Sequence, residues 1–306
     1  MVSRSSANAI DQLTPPNGPV RMVLDTDTYN EIDDQFALVY ALLTASLDIE
    51  AVYAAPFYNH RSADPADGME KSYDEILRLL ELFGHSDSES LAYRGATEYL
   101  SSGGNPTTNP ATEDLIQRAG NHSTENPLYV VSIGAPTNVA SALERAPEIA
   151  ESVVVVWLGG HPHSWHTASE FNLEQDIRAS QILFDSGVPL VQIPCKNVAE
   201  HIRTSVAELD EQLSDGGELA EYLLQIFTEY GKNYDDRTIW TKEIWDLAPI
   251  SYLVNPEWVP SHLTQSPILS DDARYSFDRN RHLIRVAADT ERDLIFEDFF
   301  QKIKDR

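Results

Sequence analysis

Five acidic side chains crowd into residues 25–34, directly after a short apolar run from Arg21 to Leu24. The run has the character of a buried strand, and residues 35–43 after the cluster have that of a helix. Open α/β sheets bind their ligands beyond the carboxyl ends of strands, so this order predicts a functional edge at the cluster. Carboxylates at this density repel one another unless a positive charge lies among them, and hard divalent cations prefer oxygen ligands. The cluster therefore predicts a divalent cation site.

Apolar, β-branched runs recur between amphipathic segments along the chain, as α/β folds require. The predicted strands are Val20 to Leu24, Ile49 to Ala55, Leu128 to Ile133, Val153 to Leu158 and Leu190 to Ile193. The predicted helices are Asp33 to Ser46, Met69 to Phe83, Thr112 to Gly120, Thr137 to Ala146 and Asp176 to Asp185. The unbroken apolar run 153–158 is typical of a parallel strand that is covered on both faces.

These elements predict an α/β fold with an open, mostly parallel central sheet flanked by helices. Residues 205–234 have a helical pattern with a break at residues 215–217, which predicts extra helices in the C-terminal part. No repeat or convincing linker divides the chain, and 306 residues with 42% hydrophobic content can bury a full core. We therefore predict one domain over residues 20–306, preceded by a flexible polar tail over residues 1–19.

The charge balance restricts the partners of the protein. Forty-nine acidic residues stand against 22 basic ones, for a formal net charge of -27, so nucleic acid and anionic membranes are poor partners. Such a surface also suits a high-salt cytoplasm, where screening relieves self-repulsion, and we hold this as a hypothesis.

The single Cys195 excludes an internal disulfide framework and a thiolate zinc site. No stretch approaches the roughly 20 apolar residues of a membrane span. We expect a cytoplasmic enzyme.

Polar turns follow three of the predicted strands. The segments are Phe57 to His60, Gly134 to Asn138 and Gly159 to His166. Because the carboxyl ends of parallel strands meet at one edge of a sheet, these turns and the acidic cluster are expected to share a single pocket.

With these residues in view, the chain resembles the nucleoside hydrolases, calcium-dependent N-ribohydrolases that split a nucleoside into ribose and free base. Residues 25–34 resemble the family's aspartate motif, DxDPGxDD, although here the Pro-Gly is replaced and the loop is two residues longer. Residues 134–138 resemble its GPLTN turn, and Glu170-Phe171-Asn172 with Asp176 resembles its EFN segment. Trp245-Asp246 stands where the family has a His-Asp pair. Four ordered matches form a specific signal.

The resemblance implies a role for each matching residue. Asp27, Asp34, Asp246 and the carbonyl of Thr137 would hold Ca²⁺. Asp33, Glu170 and Asn172 would bind the ribose hydroxyls, and Asn59 would hold the sugar or the calcium-bound water. Asp27 would also take the proton of that water, while the fixed carboxylates stabilise the oxocarbenium character of the ribose. The family likeness further implies a homodimer or homotetramer.

Departure of the base is where the sequence differs from the family. The indole of Trp245 is no general acid at neutral pH, but it can stack on a nucleobase, which favours a purine ribonucleoside. His161, His163 and His166 offer another route, because a histidine of near-neutral pKa can protonate a leaving nitrogen. The substrate is accordingly expected to be a nucleoside or a related ribosylated small molecule.

Two alternatives remain open on the sequence. The altered loop and the missing histidine are also compatible with a protein that keeps a ribose and metal pocket for binding alone. Asp25-Thr26-Asp27 after an apolar strand also resembles the acid pair of haloacid-dehalogenase-like phosphatases, although that reading leaves residues 170–172 unexplained. In the simplest interpretation, Asp33 and Asp34 are helix-capping and first-turn acids, Asp246 is a helix N-cap, and Thr137 merely begins a helix.

Overall fold

The computed structural model describes residues 10–85, 87–103, 106, 108–214, 216–232 and 240–306. Its strands, numbered along the chain, are β1 (Val20–Thr26), β2 (Leu47–Ala54), β3 (Ala92–Arg94), β4 (Leu128–Ser132), β5 (Val153–Leu158), β6 (Leu190–Ile193), β7 (Arg203–Thr204), β8 (Lys242–Glu243), β9 (Ser261–Gln265), β10 (Ile268–Leu269), β11 (Tyr275–Ser276) and β12 (Leu283–Ala287).

The α-helices are α1 (Asp33–Leu43), α2 (Pro65–Phe83), α3 (Pro110–Ala119), α4 (Thr137–Arg145), α5 (Phe171–Gln175), α6 (Ile177–Asp185), α7 (Val206–Leu213), α8 (Gly217–Gly231), α9 (Leu247–Val254) and α10 (Arg292–Lys304). Short 3₁₀ turns connect them at Ser88–Ser90, Leu100–Ser102, Pro147–Glu151, Ala199–His201 and Pro256–Trp258.

Eight strands form the central sheet in the order β3-β2-β1-β4-β5-β6-β12-β9. All neighbouring pairs are parallel except β12 and β9, which are antiparallel. The strand order runs outward from β1 in one direction and outward from β4 in the other, so β1 and β4 flank the point where the order reverses. Asp25 at the end of β1 pairs with Ser132 at the end of β4. A ligand crevice is expected at this point in an open α/β sheet.

Hydrophobic layers cover both faces of the sheet, because successive side chains of a strand point to opposite faces. Met22 and Leu24 of β1 pack into one layer with α1, α2, α7, α8, α9 and α10. Val23 packs into the other layer with α3, α4 and α6. Every residue of β5 is buried, as its unbroken apolar sequence predicts. The predicted α/β fold with a mostly parallel sheet is confirmed.

The predicted element boundaries deviate where local signals were overlooked. Helix α2 begins at Pro65, four residues before the predicted start, because the side chain of Asp64 accepts a hydrogen bond from the amide of Asp67 and a proline opens the first turn. The predicted break in the C-terminal helical region is present between α7 and α8, with Asp215 outside the described residues. Strands β9 and β12 were not predicted, since their alternation of apolar and polar residues is short and irregular.

The predicted tail, residues 1–19, divides into two parts. Residues 1–9 lie outside the described residues. Farther along, Leu13 is buried, and its carbonyl accepts a hydrogen bond of 2.6 Å from Arg285 Nε. Gln12 Nε2 also donates to the carbonyl of Glu151 at 3.0 Å. This second part of the segment therefore packs against the domain.

None of the helices that the structure describes is both long and apolar enough to span a bilayer.

One buried amide joins the strands around the crevice. Asn138, in the first turn of α4, donates from Nδ2 to Asp25 Oδ1 at 2.8 Å and to the carbonyl of Ala54 at 3.2 Å. Its Oδ1 accepts from the amide of Ala96 at 2.8 Å. Ser132 Oγ also donates to Asp25, whose pKa burial raises to about 7. Asn138 thus fixes the ends of β1 and β2 relative to α4.

Replacing this amide should destabilise the fold. Asn138→Ala leaves a buried carboxyl, a carbonyl and an N–H without their partner, so we expect the free energy of unfolding to fall by about 2–4 kcal/mol. Ser141→Ala, one turn along the same helix, is the control, because the Ser141 hydroxyl is buried but bonds to nothing among the described residues. Urea unfolding measures both. Equal losses in the two variants would contradict the role of Asn138.

Candidate metal centre and active-site cavity

A cavity of about 430 Å³ opens at the carboxyl ends of the central strands. Residues from five strand ends and from the start of α1, α5 and α9 surround it, as expected for an open α/β sheet. The residues that line it are Asp27, Asn30, Glu31, Asp33, Asp34, Asn59, His60, Ile133, Leu158, His161, Glu170, Phe171, Asn172, Cys195, Lys196, Trp245 and Asp246. The cavity thus collects polar segments that are far apart in sequence.

Three carboxylates meet in this cavity. Asp33 and Asp34 form the first turn of α1, and Asp246 directly precedes α9. Each can place one carboxylate oxygen within 4.8 Å of the other two. In the described chain neither helix is capped by these side chains: the N-cap of α1 is Ile32, and Asp246 makes no capping hydrogen bond. The positions agree with the simple interpretation, since Asp33 and Asp34 are first-turn acids and Asp246 is the N-cap residue of α9, but capping does not explain why the three acids converge in one cavity.

Burial and mutual repulsion disfavour the charged forms of these acids. Burial is the main cause that raises the pKa of Asp34 and of Asp246, and the charge of Asp33 adds to it in both. The pKa of Asp33 is also raised by burial, although Lys242 opposes the shift. Thr26 Oγ1 donates to Asp34 Oδ1 at 2.5 Å and fixes one carboxylate in place. Such a cluster is stable as carboxylates only with a cation among them.

Asp27 directly follows β1 and lies beside the three clustered acids. Burial raises its pKa well above the usual range, and the charges of Asp34 and Asp33 add to the shift. Its Oδ2 is buried and has no hydrogen-bond partner among the described residues. A buried carboxylate oxygen that has no hydrogen-bond donor and lies beside three other acids is expected at a preformed cation site. The residues present therefore fit a hard divalent cation.

The turn after β4 lies directly against Asp27. A Cβ atom added at Gly134 would lie 3.0 Å from Asp27 Cγ, a tight contact that glycine avoids without a shift of the Asp27 side chain. Thr137 is buried at the first position of α4, and its hydroxyl donates to Asp176 Oδ2 at 2.9 Å. The family resemblance assigns the carbonyl of Thr137 to the cation, but Thr137 is not among the described residues that line the cavity. Thr137 does more here than begin a helix.

Glu170 and Asn172, which are predicted to bind ribose, lie in the cavity wall. Each also forms hydrogen bonds with backbone groups of the protein. Glu170 caps α5: it accepts hydrogen bonds from the amides of Asn172 at 3.0 Å and Gly160 at 2.8 Å, and burial raises its pKa. Asn172 Nδ2 donates to the carbonyls of Ile133 and Leu158, which joins the ends of β4 and β5. These contacts fix both side chains in the wall of the cavity.

Asn59 lies on the opposite side of the same cavity. Its Nδ2 donates to Asn30 Oδ1 at 2.6 Å, and its Oδ1 accepts from the amide of Arg61 at 2.8 Å. Asn59 therefore links the turn after β2 to the lengthened acidic loop, and its amide is engaged on both atoms.

Of the residues proposed to act on the departing base, only some line the cavity in the described structure. Neither His163 nor His166 is among the described residues that line the cavity, because His163 Nε2 pairs with Gln192 Oε1 at 2.9 Å and His166 lies in an exposed turn. His161 does line it; burial lowers its pKa, and its Nδ1 is buried and unpaired among the described residues. Trp245 is half-buried on the cavity wall.

A buried lysine next to the acids was missed by the sequence reasoning. Lys242, in β8, has a side chain that is only 5% exposed, and its Nζ lies 2.6 Å from Glu31 Oε2. The charges of Asp33 and Glu31 raise its pKa despite burial, so it remains a cation. Nothing in the local sequence pattern indicates this role, because the lysine approaches from about 200 residues away and belongs to no motif.

Cys195 was also overlooked as a cavity residue. It follows β6, and the strand-end argument that located the other turns would have found it. Burial raises the pKa of its thiol well above the usual range, and the neighbouring Glu170 adds to the shift. Cys195 is therefore an uncharged part of the wall beside Glu170.

Comparisons with known proteins agree with this geometry. The family described as inosine-uridine preferring nucleoside hydrolase matches residues 22–295. The pyrimidine-specific ribonucleoside hydrolase RihA of Escherichia coli O1:K1 is 26% identical over 260 residues, which cover 77% of this chain and 80% of that protein. RihA of Escherichia coli O9:H4 is 27% identical over 263 residues with the same coverage.

Solved structures share the fold. The plant nucleoside hydrolase PpNRh1 superposes with a TM-score of 0.74 at 20% identity and covers 94% of this chain and 100% of that one. A purine-preferring ribonucleoside hydrolase from Gardnerella vaginalis also gives 0.74 at 20% identity, covering 93% and 98%. The family match supports the nucleoside hydrolase resemblance over the phosphatase alternative. The chain belongs to the inosine-uridine preferring nucleoside hydrolase family, whose members are N-glycosyl hydrolases.

Proposed function

We propose that this protein hydrolyses the N-glycosidic bond of a ribonucleoside to ribose and free base in the cavity described above. The observation that carries the proposal is the meeting of Asp33, Asp34 and Asp246 in a cavity that also contains Glu170 and Asn172. A cation site and fixed polar groups in one crevice are what a metal-assisted attack on a ribose requires.

We propose that the cation is Ca²⁺ and that Asp27, Asp34, Asp246 and the carbonyl of Thr137 hold it. Asp33 lies in the same cluster, and we assign it to the ribose hydroxyls. When bound, the cation would neutralise these carboxylates and make a neighbouring water more acidic. The donor set consists of hard oxygens, which supports calcium or magnesium over softer metals.

The side chains of the cavity have separate tasks in the proposed reaction. Asp27 Oδ2, unpaired in the described structure, takes the proton of the attacking water. Glu170 and Asn172 hold the ribose from the opposite wall. As the bond to the base breaks, positive charge builds on the ribose ring, and the surrounding carboxylates stabilise it.

The base is proposed to lie against Trp245. The indole offers a stacking surface on the cavity wall, which supports a purine preference. His161 replaces His163 and His166 as the histidine positioned to meet the leaving group. Because its pKa is lowered, His161 is neutral at pH 7 and suits donation of a hydrogen bond to the base.

A panel of purine and pyrimidine ribonucleosides tests the proposed function. The protein is incubated with each compound in Ca²⁺ or in a chelator, at high and low salt, and free base and reducing sugar are followed. We expect equal release of both products, abolished by the chelator and greater for purines. Release of neither product from any member, with calcium binding intact, would overturn hydrolysis of common ribonucleosides and leave either another ribosylated substrate or binding alone.

The cation ligands are tested by removing one charge at a time. Asp34→Asn and Asp246→Asn should each weaken Ca²⁺ binding about tenfold or more, because each removes a charged oxygen from one shared site. Isothermal titration calorimetry measures the affinity. Asp48→Asn, an exposed carboxylate whose side chain is 71% accessible, is the control for loss of charge alone and should bind normally. A variant that binds calcium as tightly as the parent removes its residue from the ligand set.

Removing the positive charge of Lys242 should strengthen calcium binding, whereas removing an acidic ligand weakens it. Lys242→Met removes a buried cation that competes electrostatically for Asp33 and Glu31, so Ca²⁺ affinity should rise severalfold. Lys196→Met is the control, since Lys196 also lines the cavity but is more exposed and pairs with Glu200 at 3.1 Å. Calorimetry of the two variants provides the comparison. Weaker calcium binding in Lys242→Met would refute this electrostatic role.

Trp245 is tested through recognition of the base. Trp245→Ala should raise KM for a purine nucleoside about tenfold and change kcat less, whereas Trp245→Phe keeps a stacking surface and most of the affinity. Steady-state kinetics on a purine and a pyrimidine nucleoside separates the two effects. Unchanged KM and kcat in the alanine variant would rule out stacking.

A further inference from the structure

A second cavity, of about 560 Å³, lies next to the catalytic one between α1, α2 and α8. His60 lines both cavities, so the two spaces meet at this residue. None of the residues assigned to the cation or to the ribose lines the second cavity. Its wall includes Arg61 and Arg78 instead. A molecule seated in the catalytic cavity could therefore extend past His60 toward two guanidinium groups.

Both guanidinium groups lie over aromatic rings. Arg61 Cζ lies 4.3 Å from the ring centroid of Tyr29, and Arg78 Cζ lies 4.4 Å from that of Tyr222. Stacking of this kind restrains the plane of the group and leaves N–H donors at its edge. Arg61 uses one of them, Nη1, on the carbonyl of Glu31 at 2.8 Å.

Neither arginine forms an ion pair in the described parts of the chain, although acidic residues outnumber basic ones by 49 to 22. The acids of the same cavity are already engaged. Glu75 Oε1 accepts from Gln35 Nε2 at 3.2 Å and from the hydroxyl of Tyr222, and Glu229 accepts from Gln225 Nε2 at 2.9 Å. No carboxylate of this cavity therefore forms an ion pair with Arg61 or Arg78 among the described residues.

Gln35 supplies a further open position. Its side chain is 2% exposed, and Oε1 is buried with no hydrogen-bond partner among the described residues. A buried acceptor of this kind is satisfied by a hydroxyl or N–H donor of a ligand. The cavity thus presents two guanidinium groups and one open acceptor, beside the carboxylates of Glu75 and Glu229 that neutral donors already engage.

We propose that the second cavity binds the anionic group, a phosphate or a carboxylate, of a ribosylated substrate whose ribose occupies the catalytic cavity. Guanidinium groups bind both anions through paired N–H donors, and restraint by stacking lowers the entropy lost on binding. This inference rests on the proposed function, because it assigns a substrate class, an anionic ribosyl compound, to the same site.

Calorimetry on the full chain in Ca²⁺ tests the inference without requiring turnover. The probes are ribose, ribose 5-phosphate and inorganic phosphate. We expect ribose 5-phosphate to bind about tenfold or more tightly than ribose, and Arg78→Gln to reduce this ratio about tenfold. Arg78→Lys, which keeps the charge, should retain part of the preference. Arg178→Gln is the matched control, since Arg178 pairs with Glu144 on the opposite face of the sheet.

The possible failures are distinguishable. Equal affinity for ribose and ribose 5-phosphate overturns the anion assignment and leaves the proposed function standing. Inorganic phosphate that binds as tightly as ribose 5-phosphate, with the same dependence on Arg78, marks a site for a free anion and overturns the assignment to a substrate. Absence of binding by all three probes overturns both the inference and the ribose site. A loss of preference in Arg178→Gln equal to that in Arg78→Gln would also refute the role of the cavity arginines.

Discussion

Repulsion among buried carboxylates is the constraint on which this structure depends. Asp27, Asp33, Asp34 and Asp246 are all buried beside one another, and their raised pKa values show that the protein does not stabilise their charges by itself. The fold supplies only a partial counter-charge, the buried ammonium of Lys242. Acids are retained in such surroundings when they serve a ligand, and a divalent cation is the ligand whose charge and hardness fit.

The sheet topology makes this arrangement possible. The strand order reverses between β1 and β4, so the loop after β1 and the turn after β4 open into one crevice. Asn138 joins the neighbouring elements through a buried amide, and Gly134 lets its turn approach Asp27 closely. The lengthened acidic loop is anchored separately, because Glu31 binds Lys242 and the carbonyl of Glu31 accepts from Arg61. The same loop therefore forms part of the wall of both cavities.

The sequence was sufficient to predict the parallel sheet and the acidic edge, because long apolar runs and dense carboxylates are local signals. It also predicted that Asp34 and Asp246 approach one another, through the ordered resemblance of four segments. The position of Lys242 could not be predicted, since a single lysine has no pattern and its neighbours are set by tertiary packing. The sequence shows that His163 and His166 can donate a proton, but it does not show which histidine faces the cavity: His161 lines it, and His163 pairs with Gln192.

The most direct test of this account is the thermal stability of the chelator-treated protein as Ca²⁺ is added back. If the buried acids form a preorganised cation site, calcium binds the folded state alone, and Tm should rise steadily with the logarithm of calcium concentration once it exceeds Kd. The gain in unfolding free energy would approach about 2.7 kcal/mol at a concentration 100 times Kd. An identical Tm in chelator and in saturating Ca²⁺ would contradict the account, because the carboxylates would then be stable without the cation.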